Sequence, residues 1–284
     1  SCALLAGGDL RCWGSGGWGQ LGLGDVDTIG DDELPAGAPL VDPGGTLVQL
    51  ALGHVHTCAL LEGGDVRCWG HNGGGRLGLG HTVFFGDNEP AAVVPVVALG
   101  GGARALFAGA GHTCAVLEDG TARCWGEGGY GQLGVPNVGS IGDDELPTDV
   151  AALDLGEEIA SMALGDEHTC ALTASGAVYC WGRGAGGRLG YGNSDSIGDD
   201  ESPVSAGSVD LGGTAVHLVA GTAHTCALLD TGAVRCWGSG YWGPLGYDSD
   251  ESVGDDETPA EAGDVPLGGG VVSLAAGYRF TCAL

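Results

Sequence analysis

Hydrophobic positions along this chain fall into short runs with a two-residue alternation, each closed by a glycine-rich or acidic stretch. From Val48 the pattern reads Val48-Gln49-Leu50-Ala51-Leu52-Gly53, then His56-Thr57-Cys58-Ala59-Leu60-Leu61. The tripeptide Glu62-Gly63-Gly64 follows, and then Asp65-Val66-Arg67-Cys68-Trp69-Gly70. Alternation of this length predicts strands, and a three-residue link containing glycine predicts a hairpin between the last two. Arg76-Leu77-Gly78-Leu79-Gly80 leads into a long polar loop, after which the proline-flanked run from Pro90 to Leu99 predicts an outer strand. No segment shows helical spacing.

The hairpin cysteines recur at a fixed interval. First members are Cys2, Cys58, Cys114, Cys170, Cys226 and Cys282; second members are Cys12, Cys68, Cys124, Cys180 and Cys236, each step being 56 residues. Self-similarity at one period marks stacked copies of a single supersecondary unit sharing one continuous core. Residues 1–284 therefore form a single segment of five repeats, at about 2–57, 58–113, 114–169, 170–225 and 226–281, with a partial extra copy at the C-terminus. Three or four short strands per repeat is the content of one β-propeller blade. Glycine density and strands rich in Val, Thr and Trp exclude a helical solenoid. The expected fold class is all-β: a β-propeller of 56-residue blades of short antiparallel strands.

Centring the hairpin on Gly63 sets Cys58 opposite Cys68. Opposed residues of an antiparallel pair have Cα atoms roughly 4.5–5.5 Å apart, within disulfide reach. The expected bonds are Cys2–Cys12, Cys58–Cys68, Cys114–Cys124, Cys170–Cys180 and Cys226–Cys236, with Cys282 expected to pair with a residue beyond the chain's end. A register slip of one residue would leave buried thiols instead. Zinc is disfavoured, because the spacing lacks the tight knuckle of structural zinc sites. Disulfides persist in oxidising compartments, so the pairing predicts an extracellular or cell-surface protein.

His-Thr-Cys-Ala, a Cys-Trp-Gly strand end and a following Gly-x-Leu-Gly turn recur at 53–78, 109–134, 165–190 and 221–246, with partial copies at both ends. This string resembles the repeat of the regulator of chromosome condensation family, in a bacterial secreted or surface variant. The resemblance implies a propeller, usually seven-bladed, whereas five periods and four residues are present. Relatives include a nucleotide-exchange factor, a plant ultraviolet-B receptor and a secreted bacterial inhibitor of β-lactamase. The receptor's Gly-Trp-Arg-His-Thr cluster is matched by Gly53-His54-Val55-His56-Thr57 and its equivalents, none with Trp in the second slot, which disfavours light sensing.

Charge narrows the partners. There are 37 acidic residues against nine arginines and no lysine, a net charge of −28. Binding nucleic acid takes Lys and Arg to neutralise phosphates, so nucleic acid is not expected; a basic partner or a divalent cation is. No stretch approaches 18 apolar residues, so no transmembrane helix is expected. A chain that starts without Met and runs from mid-repeat to mid-repeat reads as a segment of a longer, processed protein.

The long loop carries a second signature: Ile29-Gly30-Asp31-Asp32-Glu33, Ile141-Gly142-Asp143-Asp144-Glu145, Ile197-Gly198-Asp199-Asp200-Glu201 and Val253-Gly254-Asp255-Asp256-Glu257. Further oxygen donors lie upstream at Asp25, Asp27, Asn193, Asp195, Asp248 and Asp250. Ca²⁺ takes six to eight such ligands, so one reading is a calcium ion per blade. The other is turn capping and surface solvation, which the poor fit to known calcium-loop spacings favours.

Residues repeated in every copy serve packing. His56, His112, His168 and His224 are expected to hold structural hydrogen bonds, and Trp13, Trp69, Trp125, Trp181 and Trp237 to wedge between blades. Trp18, Tyr130, Tyr241 and Trp242 follow the Trp-Gly turn and are candidate protein contacts, although an aromatic there can also cover a neighbouring blade. No nucleophile elbow, phosphate loop or HExxH helix is present, so catalysis is not expected. The expected role is a non-enzymatic extracellular structural or interaction module, part of a larger surface protein or a self-assembling fibre. The alternatives are a secreted inhibitor or receptor-like binder and, further off, an intracellular guanine-nucleotide exchange factor.

Overall fold

Why the chain folds in copies is visible in its strands. The computed structural model describes residues 1–284. It divides into two units: Ser1–Glu118 with Arg123–Glu127 and Ser140–Ala152, and Asp119–Ala122 with Gly128–Gly139 and Leu153–Leu284. In the first lie the hairpin β1 (Cys2–Leu4) and β2 (Leu10–Cys12), then the sheet β3 (Leu47–Leu52), β4 (His56–Leu61), β5 (Val66–Gly70). The sheet β6 (Ala103–Ala108), β7 (His112–Leu117), β8 (Ala122–Gly126) completes it, apart from Ala122.

The second unit repeats the plan with β9 (Ile159–Leu164), β10 (His168–Thr173), β11 (Val178–Gly182) and with β12 (Ala215–Ala220), β13 (His224–Leu229), β14 (Val234–Gly238). A two-stranded sheet, β15 (Leu274–Ala276) and β16 (Thr281–Ala283), follows. One helical turn, α1 (Pro259–Ala262), is capped by Thr258, whose side chain accepts the Glu261 N–H.

In each three-stranded sheet the middle strand is buried along all six residues. The hairpin register places Cys58 opposite Cys68 and Leu60 opposite Val66, with Glu62–Gly64 as the loop. Such a loop needs a left-handed residue at its third position, and Gly64 supplies it at φ 89°. Gly8, Gly120, Gly176 and Gly232 do the same at 83–90°.

The outer strand expected from Pro90 to Leu99 does not form. A 3-10 turn at Ala91–Val93 and two isolated bridges, Leu23 with Pro90 and Arg67 with Val96, stand there instead. Pro90 and Pro95 lack the N–H a ladder requires, and Arg67 takes over by donating its guanidinium to Val94 O. Arg11 reaches Pro35 O and Ala38 O in the same way, and Arg123 reaches Leu99 O, Pro147 O and Val150 O. These arginines fasten the outer segment to the sheet.

Modules of one unit lie side by side, first strand against first strand: β3 beside β6, β9 beside β12, and β12 beside β15. Gln49 bridges two of them, donating to Leu106 O at 2.7 Å and accepting Leu106 N–H at 3.0 Å. Core residues of the first unit include Leu10, Leu21, Val41, Ala59 and Trp69.

Candidate functional site: the module junctions and their loops

All five expected disulfides are present, with sulfurs 2.01–2.11 Å apart and Cα atoms 4.0–4.1 Å apart; Cys282 is free and exposed. Each bond ties the two strands of one hairpin together, in the three-stranded sheets the middle strand to the strand after it. Within each unit, beside the bond runs a junction built from the same residues. His56 Nε2 lies 2.8 Å from Thr113 Oγ1 of the next module, His168 Nε2 2.9 Å from Thr225 Oγ1, and His224 Nε2 3.0 Å from Thr281 Oγ1. Burial pushes His56 and His112 down to about 3 and His224 to about 4, so all three rings are neutral at physiological pH.

Four of the five repeated tryptophans, Trp69, Trp125, Trp181 and Trp237, are fully buried. Trp125 Nε1 donates to Arg76 O and Trp181 Nε1 to Gln132 O, both at 3.0 Å and both in the preceding module. Trp13 is only partly buried.

The acidic loops belong to this junction. A Cβ at Gly75 would lie 2.4 Å from Asp143 N of the next module; at Gly131, 2.4 Å from Asp199 N; at Gly187, 2.5 Å from Asp255 N. Gly80 N–H donates to Gly142 O, Asn137 N–H to Asp199 O and Asn193 N–H to Gly254 O, at 2.7–3.1 Å. The Gly-Asp-Asp-Glu turn of one copy is thus seated backbone to backbone on the glycine turn of the copy before it, which explains why both signatures repeat together.

Carboxylates within each turn crowd. One oxygen from each of Asp31, Asp32 and Glu33 lies within 4.8 Å of the others, and the same holds for Asp143–Glu145, Asp199–Glu201 and Asp255–Glu257. Glu33 Oε1 caps the turn by accepting Gly30 N–H at 2.8 Å. Burial, followed by the hydrogen bond and charge of Asp256, pushes Glu257 up to about 7; Glu145 and Glu201 are raised by burial and their Asp neighbours. In the exposed first copy Asp32 is raised, chiefly by its hydrogen bond with Glu33, and Glu33 is lowered by that bond. A proton or a weakly held cation would relieve this crowding. The upstream donors Asp25, Asp27, Asp195 and Asp250 do not join the triplets. Asp25 instead accepts the Asp27 N–H, and the Asp195 N–H goes to Asn193 Oδ1, two local Asx turns.

Trp18, Tyr130, Tyr241 and Trp242 are exposed, at 44, 43, 62 and 64 %. Tyr241 and Trp242 share a ring contact with centroids 4.7 Å apart. Trp18 stands edge-on to His71 and Phe84, Arg183 lies over Tyr130 at 5.0 Å and Arg279 over Trp242 at 5.9 Å, each of these three aromatics leaning on the following module. Arg183 also pairs with Glu167, which Arg188 shares, and Arg76 pairs with Glu127. Sequence reasoning missed the role of Tyr191 and Tyr247, whose hydroxyls donate to Gly207 O and Gly263 O and accept the N–H of Cys180 and Cys236. Their recurrence 56 residues apart was the available signal.

Three-stranded antiparallel modules joined by repeated contacts define the β-propeller repeat class. Two models of the regulator of chromosome condensation (RCC1) repeat match, one at residues 47–76, 103–132 and 159–188, the other at 119–172 and 175–228. The chain belongs to that repeat family. It is 34 % identical over 251 residues to the ultraviolet-B receptor UVR8 of Arabidopsis thaliana, covering 87 % of this chain and 53 % of the receptor. It is 32 % identical to the mouse secretion-regulating guanine nucleotide exchange factor, covering 86 % of this chain and 52 % of that protein. The chain thus spans about half the length of these relatives. Yeast RCC1 (Prp20), solved bound to Kap60, shares the fold with a TM-score of 0.76 at 18 % identity, over 99 % of this chain and 63 % of that one.

Proposed function

We propose that this chain is a protein-binding propeller segment working outside the cell, a non-catalytic structural or interaction part of a larger surface protein. The observation that carries the reading is one disulfide in each of five hairpins. Cytosolic thiols keep such bonds reduced, so a fold stapled in every copy suits an oxidising space. The residues common to all copies are occupied in joining them, which leaves no single place where a nucleophile, a base and an oxyanion donor converge. A net charge of −28 favours a basic protein surface as partner. The exposed Tyr241–Trp242 pair is the contact point that fits best, because paired aromatics anchor protein interfaces.

Labelling intact cells of the source organism with a membrane-impermeant biotin reagent tests the location, together with a thiol count on the recovered protein. The expected result is labelled protein with ten of its eleven cysteines oxidised. Unlabelled protein with free thiols in the soluble cell interior would overturn the reading. A photo-crosslinker at position 241 is expected to trap a protein partner that the same group at exposed Leu34 does not trap.

A further inference from the structure

At two of the three turns that carry an aromatic side chain, an arginine lies over the ring. Arg183 sits 5.0 Å from the Tyr130 ring centre and Arg279 5.9 Å from that of Trp242, each arginine coming from the module after the ring. Trp18 holds the same place in the first copy, two periods of 56 residues before Tyr130 and four before Trp242. Its neighbours differ. His71 stands where Arg183 does, and Val55 where Arg279 does. The Trp18 ring meets His71 at 4.8 Å and Phe84 at 5.5 Å, both at 86°, and the residue remains 44 % exposed.

The groups beside this ring bring no spare positive charge. His71 Nδ1 accepts from Arg76 at 2.8 Å and from the Gly73 N–H at 3.1 Å, and burial followed by the charge of Arg76 lowers its pKa, so the imidazole is neutral at pH 7. Arg76 itself is bound to Glu127 at 2.7 Å. Acid stands on both sides of the turn instead. A Cβ at Gly16 would run into Asp27 O, and one at Gly19 into the Gly86–Asp87 peptide, so Trp18 is held between the loop of Asp25 and Asp27 and the turn of Asp87 and Glu89. The first of these continues through Asp31, Asp32 and Glu33 without a cation. An indole in such a field attracts a cation, and the flat guanidinium stacks on aromatic rings more readily than an ammonium does.

We propose that Trp18 is the contact point for an arginine side chain presented by a basic partner protein, its guanidinium laid on the indole as Arg183 lies on Tyr130, with the acidic loops on either side holding its charge. The inference rests on the reading of the chain as a protein-binding segment with a basic partner, and it adds the residue that recognises that partner and the side chain recognised. It is independent of where the protein works. A second copy of this chain is a poor source of the arginine, because two surfaces from molecules of net charge −28 repel.

The probe is a fluorescein-labelled peptide, Gly-Ser-Arg-Gly-Ser-Arg-Gly-Ser, followed by fluorescence anisotropy on the whole chain at about 150 mM salt, where distant charges are screened. A twin peptide carries citrulline, neutral and of the same shape, in place of arginine. Trp18→Ala is expected to weaken Kd for the arginine peptide by about fivefold, and Trp18→Phe by less. Val55→Arg places an arginine of the chain itself at the ring and is expected to weaken Kd as much as Trp18→Ala does, which also covers a Trp18→Ala chain that fails to fold. Val216→Arg makes the same change of charge at an exposed site on β12 and is expected to leave Kd unchanged. Equal Kd for the parent chain and Trp18→Ala would overturn the proposal, as would a citrulline peptide that separates the two as strongly. So would equal losses for Val55→Arg and Val216→Arg, since net charge alone would then hold the peptide. Each of these leaves a basic partner at the Tyr241–Trp242 pair, which the crosslinker at position 241 reads separately.

Discussion

At His56, burial and packing act together on one ring. Its pKa is pushed down to about 3 while Nε2 meets Thr113 across the junction, and His112 and His224 are lowered alike. The unfolded chain takes up protons near 6.5 and the folded chain does not. Stability from these groups is therefore complete above pH 6.5 and drains as pH falls toward 3–4, by up to about 1.4 kcal/mol per pH unit for each histidine. Urea midpoints are expected to drop steeply between pH 6 and pH 4, and His56→Gln to flatten that slope. Glu257 works in the opposite sense. Its raised pKa of about 7 gives stability that is complete below 4.5 and lost as pH rises through 7, so Glu257→Gln is expected to raise Tm at pH 8 and leave it unchanged at pH 4. A melting curve for this variant that shifts equally at both pH values would contradict the assignment.

The element that carries the architecture is the stapled hairpin. Closing a short loop constrains the unfolded chain by on the order of 2–3 kcal/mol, so Cys58→Ala with Cys68→Ala is expected to lower stability by that amount in denaturant titration. This hairpin was fully legible in the sequence, because its two cysteines are symmetric about Gly63 and the strands alternate on either side. The outer segment was not. Its apolar run looked like a strand, yet Pro90 and Pro95 deny it a ladder and Arg67 holds it by side chain instead. The acidic turns were legible as a repeat but not as a joint, because the glycine each turn sits on, such as Gly75 beneath Asp143, lies in another copy. Backbone seating explains their recurrence without an ion. Chelator is accordingly expected to leave Tm unchanged, and a rise of several degrees in millimolar calcium would assign the triplets to cation binding instead.

For the molecule as a whole, uniformity is the informative property. Sheets of one design, joined by the same histidine, tryptophan and glycine contacts within each unit, divide stability among nearest neighbours. What varies between copies sits in the loops: Trp18, Tyr130 and the Tyr241–Trp242 pair, with glycine at positions 74 and 186 in the copies between. These positions cannot be read from the repeat, because the repeat records only what every copy shares. The claim beneath all of this is that every complete module closes its own covalent staple. Peptide mapping of the purified chain by mass spectrometry, alkylated and digested without reduction, tests it directly. Five linked peptide pairs are expected, each joining cysteines ten residues apart, with Cys282 alone alkylated; alkylated thiols throughout, or bridges between copies, would contradict that pairing.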